Sequence, residues 1–219
     1  MNQGIVIGVV LAAVLLLMWL VVMLTRKSGG GSWRSTEVSA RVSEALTIFA
    51  EQSLQLPSVE EILVFASEAA QSIFGISQVI VFERGEAGGW EARVPRKEEL
   101  GKVPSGFSGV FGWFVHNPRN APKSELGHAR FGAMRRPLQQ AMDHYKVDVF
   151  MPLVERGRLM AVVALSLGRT PSASDRQGMR LFRLAATAAC ANVRLHREAA
   201  HLVSLAAEVD LVSKVELSL

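Results

Sequence analysis

The fold is best read from residues 151–165, MPLVERGRLMAVVAL. Two apolar runs flank the polar segment 155–158, which contains Gly157. Apolar, β-branched runs separated by a short glycine-containing turn predict a β-hairpin. The second run, residues 160–165, is apolar throughout, which is typical of a strand buried on both faces at the centre of a sheet.

A second hairpin is predicted upstream of the first. The β-branched run at residues 78–82 predicts a strand, glycines at 85–89 predict a turn, and residues 90–94 predict its partner strand. The glycine-rich segment 95–112 predicts irregular structure. Residues 110–116 and 133–145 predict a short helix and a longer one.

Helices are predicted on both sides of this strand-rich region. Apolar residues at three- and four-residue spacing predict a first helix from about residue 36. Ser58 and Glu61 form a capping box for a second helix, and Gly75 stands at its expected C-terminal cap. Ser172 or Ser174 can cap a last helix that continues to the C-terminus.

Residues 4–24, GIVIGVVLAAVLLLMWLVVML, carry no charge and predict a transmembrane helix. Twenty-one residues at about 1.5 Å each match the roughly 30 Å hydrocarbon core of a bilayer. A cleaved signal peptide is disfavoured, because no basic segment precedes the run and no Ala-x-Ala motif follows it. Arg26 and Lys27 flank only its C-terminal end, which predicts an outside N-terminus and a cytoplasmic domain.

The composition narrows the classes of function. The lone cysteine, Cys190, excludes a disulfide framework and cysteine-rich zinc sites, and it is expected to be a small buried apolar side chain. The net charge of +4 is modest. Beside a membrane, basic side chains are expected to meet anionic lipid, and no nucleic-acid partner is predicted.

The order of these elements resembles a GAF domain over about residues 40–197. Residues 151–165 look like the family's P-L-x-x-x-G-x-x-x-G-x-L hairpin, and residues 60–75 and 174–189 resemble its first core helix and its last helix. The resemblance implies an α+β fold, a GAF-like antiparallel sheet flanked by helices. We therefore divide the chain into an anchor (1–27), a flexible linker (28–35), a GAF-like domain (36–197) and a C-terminal helix (198–219).

The resemblance also implies a ligand pocket walled by residues 106–146. This stretch lacks the cysteine that attaches a bilin in relatives, and the chain lacks the Asn-Lys-x-Phe-Asp-Glu signature of cyclic-nucleotide-binding members. No cofactor, no metal site and no catalytic residues are predicted, so the chain is not expected to be an enzyme.

The same stretch is rich in basic side chains that could bind an anionic ligand. Arginine forks suit phosphate and carboxylate groups. A solvated basic face near anionic lipid is the alternative interpretation. The candidate ligand-binding residues are His116, Arg130, Arg135, Arg136 and His144.

The end of the chain has a heptad pattern. Its apolar residues predict a coiled-coil seam of a parallel homodimer, formed by Leu195, Leu202, Leu205, Val209 and Val212. An amphipathic helix packed on its own domain is the alternative, because sustained heptads normally need more length.

These features predict a non-catalytic sensory or signal-relay module, held at a bacterial inner membrane and acting through a cytoplasmic partner protein. The alternative is a membrane scaffold whose GAF-like domain binds no small ligand and recruits a partner.

Overall fold

The computed structural model describes residues 33–85, 88–94 and 103–216, and within these it describes side-chain surroundings from residue 42 to residue 200. The helices are α1 (Trp33–Ser53), α2 (Val59–Phe74), α3 (Ser108–His116), α4 (Arg135–Tyr145) and α5 (Ala173–Glu216). The strands are β1 (Gln78–Arg84), β2 (Trp90–Val94), β3 (Ala121–Pro122), β4 (Val149–Glu155) and β5 (Arg158–Ser166). Short 3-10 turns precede α3 and α4.

The predicted helix caps are present. The Ser58 hydroxyl accepts a hydrogen bond from the Glu61 amide at 3.1 Å, and Gly75 closes α2 in the left-handed conformation. At the start of α5, the Ser172 hydroxyl accepts from the Asp175 amide at 3.1 Å. Ser172, rather than Ser174, is therefore the residue that caps the last helix.

The strands form one antiparallel sheet in the order β2-β1-β5-β4-β3. The two predicted hairpins, β1–β2 and β4–β5, lie side by side because β1 pairs with β5. The apolar strand β5 is central, as its sequence predicts, and β3 is a two-residue edge strand that contains Pro122.

Helices α1, α2 and α5 cover one face of the sheet. Alternate strand residues such as Val79 and Val81 point into this layer, where Phe49 of α1 packs against Phe182 of α5 with ring centroids 5.6 Å apart. Cys190 is fully buried there, as predicted, and burial raises the pKa of its thiol to about 12.

Helices α1 and α5 run in the same direction. Near the start of α5, a Cβ on Gly178 would lie 3.4 Å from Val42 of α1. Further along, Phe182 contacts Phe49. Arg197 then donates to the Pro57 carbonyl at 3.2 Å. The first two pairs advance together along both helices, and Pro57, just after α1, lies beside Arg197 further along α5. Helix α1 therefore enters at one end of the domain and α5 leaves at the other.

Helix α1 begins earlier than the sequence predicts. It begins at Trp33 instead of at about residue 36, and no glycine or proline interrupts residues 33–35. The predicted anchor, residues 4–24, lies outside the described residues. Within residues 33–85, 88–94 and 103–216, no helix has the length and apolar character of a membrane span.

Candidate ligand-binding site

Aromatic side chains fill the second face of the sheet, under α3 and α4. The ring of Phe82 lies 5.2 Å from Phe111 and 4.8 Å from Tyr145, and the rings of Phe111 and Phe114 both lie 6.2 Å from Phe150. All five are buried. We call Phe82, Phe111, Phe114, Tyr145 and Phe150 the aromatic layer. It occupies the space in which the resemblance implies a ligand.

The predicted anion-binding residue Arg130 is engaged by other groups. Its guanidinium donates to the Glu125 carboxylate at 2.7 Å and to the Asn120 carbonyl at 3.3 Å. The same group lies 4.4 Å from the centre of the Phe131 ring. Arg130 therefore holds together the segment between β3 and α4.

The other four predicted ligand residues are exposed and lie on different elements. His116 ends α3, and Arg135 and Arg136 begin α4. His144 lies near the other end of α4, where it packs edge-on against Tyr145 and Phe107 with ring centroids 4.7 and 5.4 Å apart. The ligand role of these side chains stays a prediction.

A depression of about 630 Å³ lies instead at one end of the sheet. Because β1 and β5 are antiparallel, the end of β1 at Arg84 and the start of β5 at Arg158 lie at the same end, next to both hairpin turns. We call this depression the hairpin notch. It is lined by Val59, Glu83, Arg84, Gly88, Trp90, Ser108, Gly112, Val115, Gly157, Arg158, Leu159, Met160 and Arg194.

Two of the charged groups in the notch are paired. The Glu83 carboxylate lies 3.1 Å from the Arg93 Nε. The Arg194 guanidinium lies 2.9 Å from the Glu155 carboxylate. Burial raises the pKa of Glu83, although Arg93 acts in the opposite direction. Glu83 and Arg194 therefore add little uncompensated charge to the notch.

The charges of Arg84 and Arg158 are not compensated in this way by any described side chain. The Arg84 Nε donates to the Gly88 carbonyl at 3.2 Å, which holds the side chain over the β1–β2 turn. Neither arginine has an ion pair with the residues whose side-chain surroundings are described. Trp90, the cross-strand neighbour of Arg84, packs against Phe111 with ring centroids 4.9 Å apart.

Sequence reasoning missed the notch. Arg84 and Arg158 lie in two hairpins that are distant along the chain, and the pairing of β1 with β5 places both at the same end of the sheet. The glycine spacing at 106, 109 and 112 was a signal, but it predicted a flexible loop. In the structure Gly109 and Gly112 belong to α3.

A further surface lies on the helical layer. Ile48 of α1 and Leu184 and Leu195 of α5 are each more than two-fifths exposed. Leu195, the first residue of the predicted seam, is therefore only partly covered by its own domain. The other seam residues lie in α5, beyond the described side chains.

The domain is similar to several solved structures. It matches a methyl-accepting chemotaxis protein fragment (TM-score 0.51, 15% identity, covering 67% of this chain and 97% of that one). It also matches the GAF domain of a phosphoenolpyruvate-protein phosphotransferase from Coxiella burnetii (TM-score 0.51, 11% identity, covering 73% and 98%). The described domain has the GAF fold.

A third GAF-fold match is the chromophore-binding domain of a bacteriophytochrome from R. palustris (TM-score 0.52, 13% identity, covering 70% of this chain and 62% of that one). No protein-family model and no curated protein matches the sequence. At these identities the likeness establishes the fold, and the α+β arrangement predicted from the sequence is confirmed.

Proposed function

We propose that this chain is a non-catalytic, membrane-anchored sensory or signal-relay module that acts through a partner protein. The GAF fold supports a sensory role, because its structural neighbours include a chemotaxis protein and a bacteriophytochrome. Membrane attachment is inferred from residues 4–24, and the cytoplasmic orientation from Arg26 and Lys27.

The parallel course of α1 and α5 carries the relay proposal. Helix α1 extends from the side of the predicted anchor into the domain and packs along α5. Helix α5 then continues from Arg197 to Glu216, roughly 28 Å at 1.5 Å per residue. A displacement of the core between α1 and α5 is thus passed to a helix that projects away from the domain.

Homodimerisation fits this arrangement. Leu184 and Leu195 are exposed on α5, and the heptad pattern continues beyond them to Val212. Two anchors entering one membrane from the same side require parallel pairing, and attachment to the bilayer raises the effective concentration of one copy near another.

The scaffold alternative has one specific observation in its favour. The aromatic layer occupies the face that would hold a ligand in the middle of the domain. A GAF domain filled in this way can still present α5 and the helical layer to a partner without responding to a small molecule.

Native mass spectrometry of the full-length chain in lipid nanodiscs separates the two functions. A small molecule that remains bound to the protein, and is released on unfolding, supports sensing. A mass equal to that of the chain and its lipids alone, in preparations from several growth conditions, supports the scaffold.

A further inference from the structure

We propose that the hairpin notch binds a small organic anion, a carboxylate or phosphate group on an apolar or aromatic body. This site lies outside the aromatic layer and uses none of the five ligand residues predicted from the sequence. The proposal concerns binding alone, so it is tested separately from relay to a partner.

The charge of the notch selects an anion. Arg84 and Arg158 both line it, and neither is neutralised by an acidic partner among the described side chains. The acidic group Glu83 is already bound to Arg93. A guanidinium group can donate two parallel hydrogen bonds to one carboxylate or phosphate, which is the geometry these anions favour.

The rest of the notch suits an apolar body. Trp90, Val115 and Leu159 supply apolar surface. On α3, Ser108, Gly112 and Val115 follow each other at spacings of four and three, so they share one face of the helix. A Cβ on Gly112 would meet no atom within 4 Å, which leaves open space in front of the helix.

The volume of the notch is large enough for a small molecule. Its volume of about 630 Å³ falls within the range of roughly 300–1,000 Å³ typical of ligand pockets. Trp90 also provides a spectroscopic reporter, because it lines the notch while Trp113 packs on Phe114 and Phe131 away from it.

Nuclear magnetic resonance of the full-length chain in nanodiscs, with ¹⁵N-labelled tryptophan, tests the proposal with phenyl phosphate as the probe. The Trp90 indole signal is assigned from the Trp90→Phe variant. We expect phenyl phosphate to shift the Trp90 signal in a saturable way and to leave Trp113 unchanged. Benzyl alcohol, which has the ring without the anion, should shift Trp90 at least about tenfold more weakly, because a hydrogen bond to a charged group is lost.

Two matched pairs of variants locate the site. Arg158→Gln should weaken binding by about tenfold or more, while Arg156→Gln, which removes the same charge from the same turn, should not. Gly112→Leu should block binding, while Gly109→Leu on the same helix should not, since both glycines face open space but only Gly112 lines the notch.

Circular dichroism spectra that match the parent protein would show that the variants remain folded. The assignment is overturned if phenyl phosphate does not shift Trp90, if Arg158→Gln and Arg156→Gln weaken binding equally, or if Gly112→Leu binds like the parent. Equal weakening would mean that only the net charge of the surface attracts the anion.

Discussion

Replacing Phe111 by alanine tests whether the sheet face under α3 is filled by side chains. Phe111 is fully buried and contacts Phe82, Trp90 and Phe150, with ring centroids 5.2, 4.9 and 6.2 Å away. Phe→Ala substitutions in packed cores cost about 3–5 kcal/mol, because the transfer free energy is lost and a cavity remains. Three aromatic contacts favour the middle of that range, so we expect a loss of about 4 kcal/mol.

The free energy of unfolding of the full-length chain, measured by urea titration with near-ultraviolet circular dichroism, gives this quantity. Phe107→Ala is the control, because Phe107 is only partly buried and contacts only Tyr145 and His144 among the described aromatic side chains. This variant should lose clearly less free energy of unfolding than Phe111→Ala. An apolar cavity of this kind stays dry and binds benzene. Benzene should therefore raise the urea midpoint of Phe111→Ala and not that of the parent.

The opposite result would refute the argument. A loss below about 1 kcal/mol, with no effect of benzene, would mean that Phe111 borders an existing cavity instead of filling the space. The region implied by the family resemblance would then be open, and the scaffold alternative would lose its supporting observation.

Three further predictions concern other parts of the chain. In membranes, Leu202→Cys should form a disulfide-linked dimer much faster than Ser204→Cys, which lies off the heptad seam; equal rates would favour a helix that pairs with no second copy. The pKa of Asp175 is lowered to about 2, chiefly by its hydrogen bond with Arg169. The ionised Asp175 side chain therefore contributes fully to stability above about pH 4, and this contribution is lost as the pH falls through about 2. Asp175→Asn should thus destabilise by about 1–2 kcal/mol at neutral pH and progressively less in acid, as measured by urea titration, and a loss independent of pH would contradict this ion-pair account. A C-terminal alkaline phosphatase fusion, active only outside the cytoplasm, should be inactive, and activity would overturn the predicted orientation.

Much of the fold follows from local signals in the sequence. The β4–β5 hairpin is specified by apolar runs around Gly157, which takes a positive φ of 76° in the turn. Helix α2 is delimited by Ser58 and by Gly75, whose φ is 63°. These features depend on residues close together in the chain, so a single sequence contains the information needed to predict them.

The weaker predictions were those that depend on boundaries without strong signals. Helix α1 begins at Trp33, directly after Ser32, instead of at about residue 36. The stretch at 129–134 forms a 3-10 turn before α4, whereas the pattern predicted a helix from residue 133. Short turns of this kind depend on the packing of Phe131 as well as on local propensity.

The sequence by itself determined the α+β class, the two hairpins, the burial of Cys190 and the length of α5, because periodicity and capping are local. Tertiary structure decided which basic residues meet. The pairing of β1 with β5 brings Arg84 and Arg158 to one notch, while Arg135 and Arg136 remain on an exposed helical turn. It also decided that Phe82, Phe111 and Phe150 fill the sheet face. An apolar pattern specifies which side chains point inward, but whether they line a space or occupy it depends on volumes that only the packed elements define.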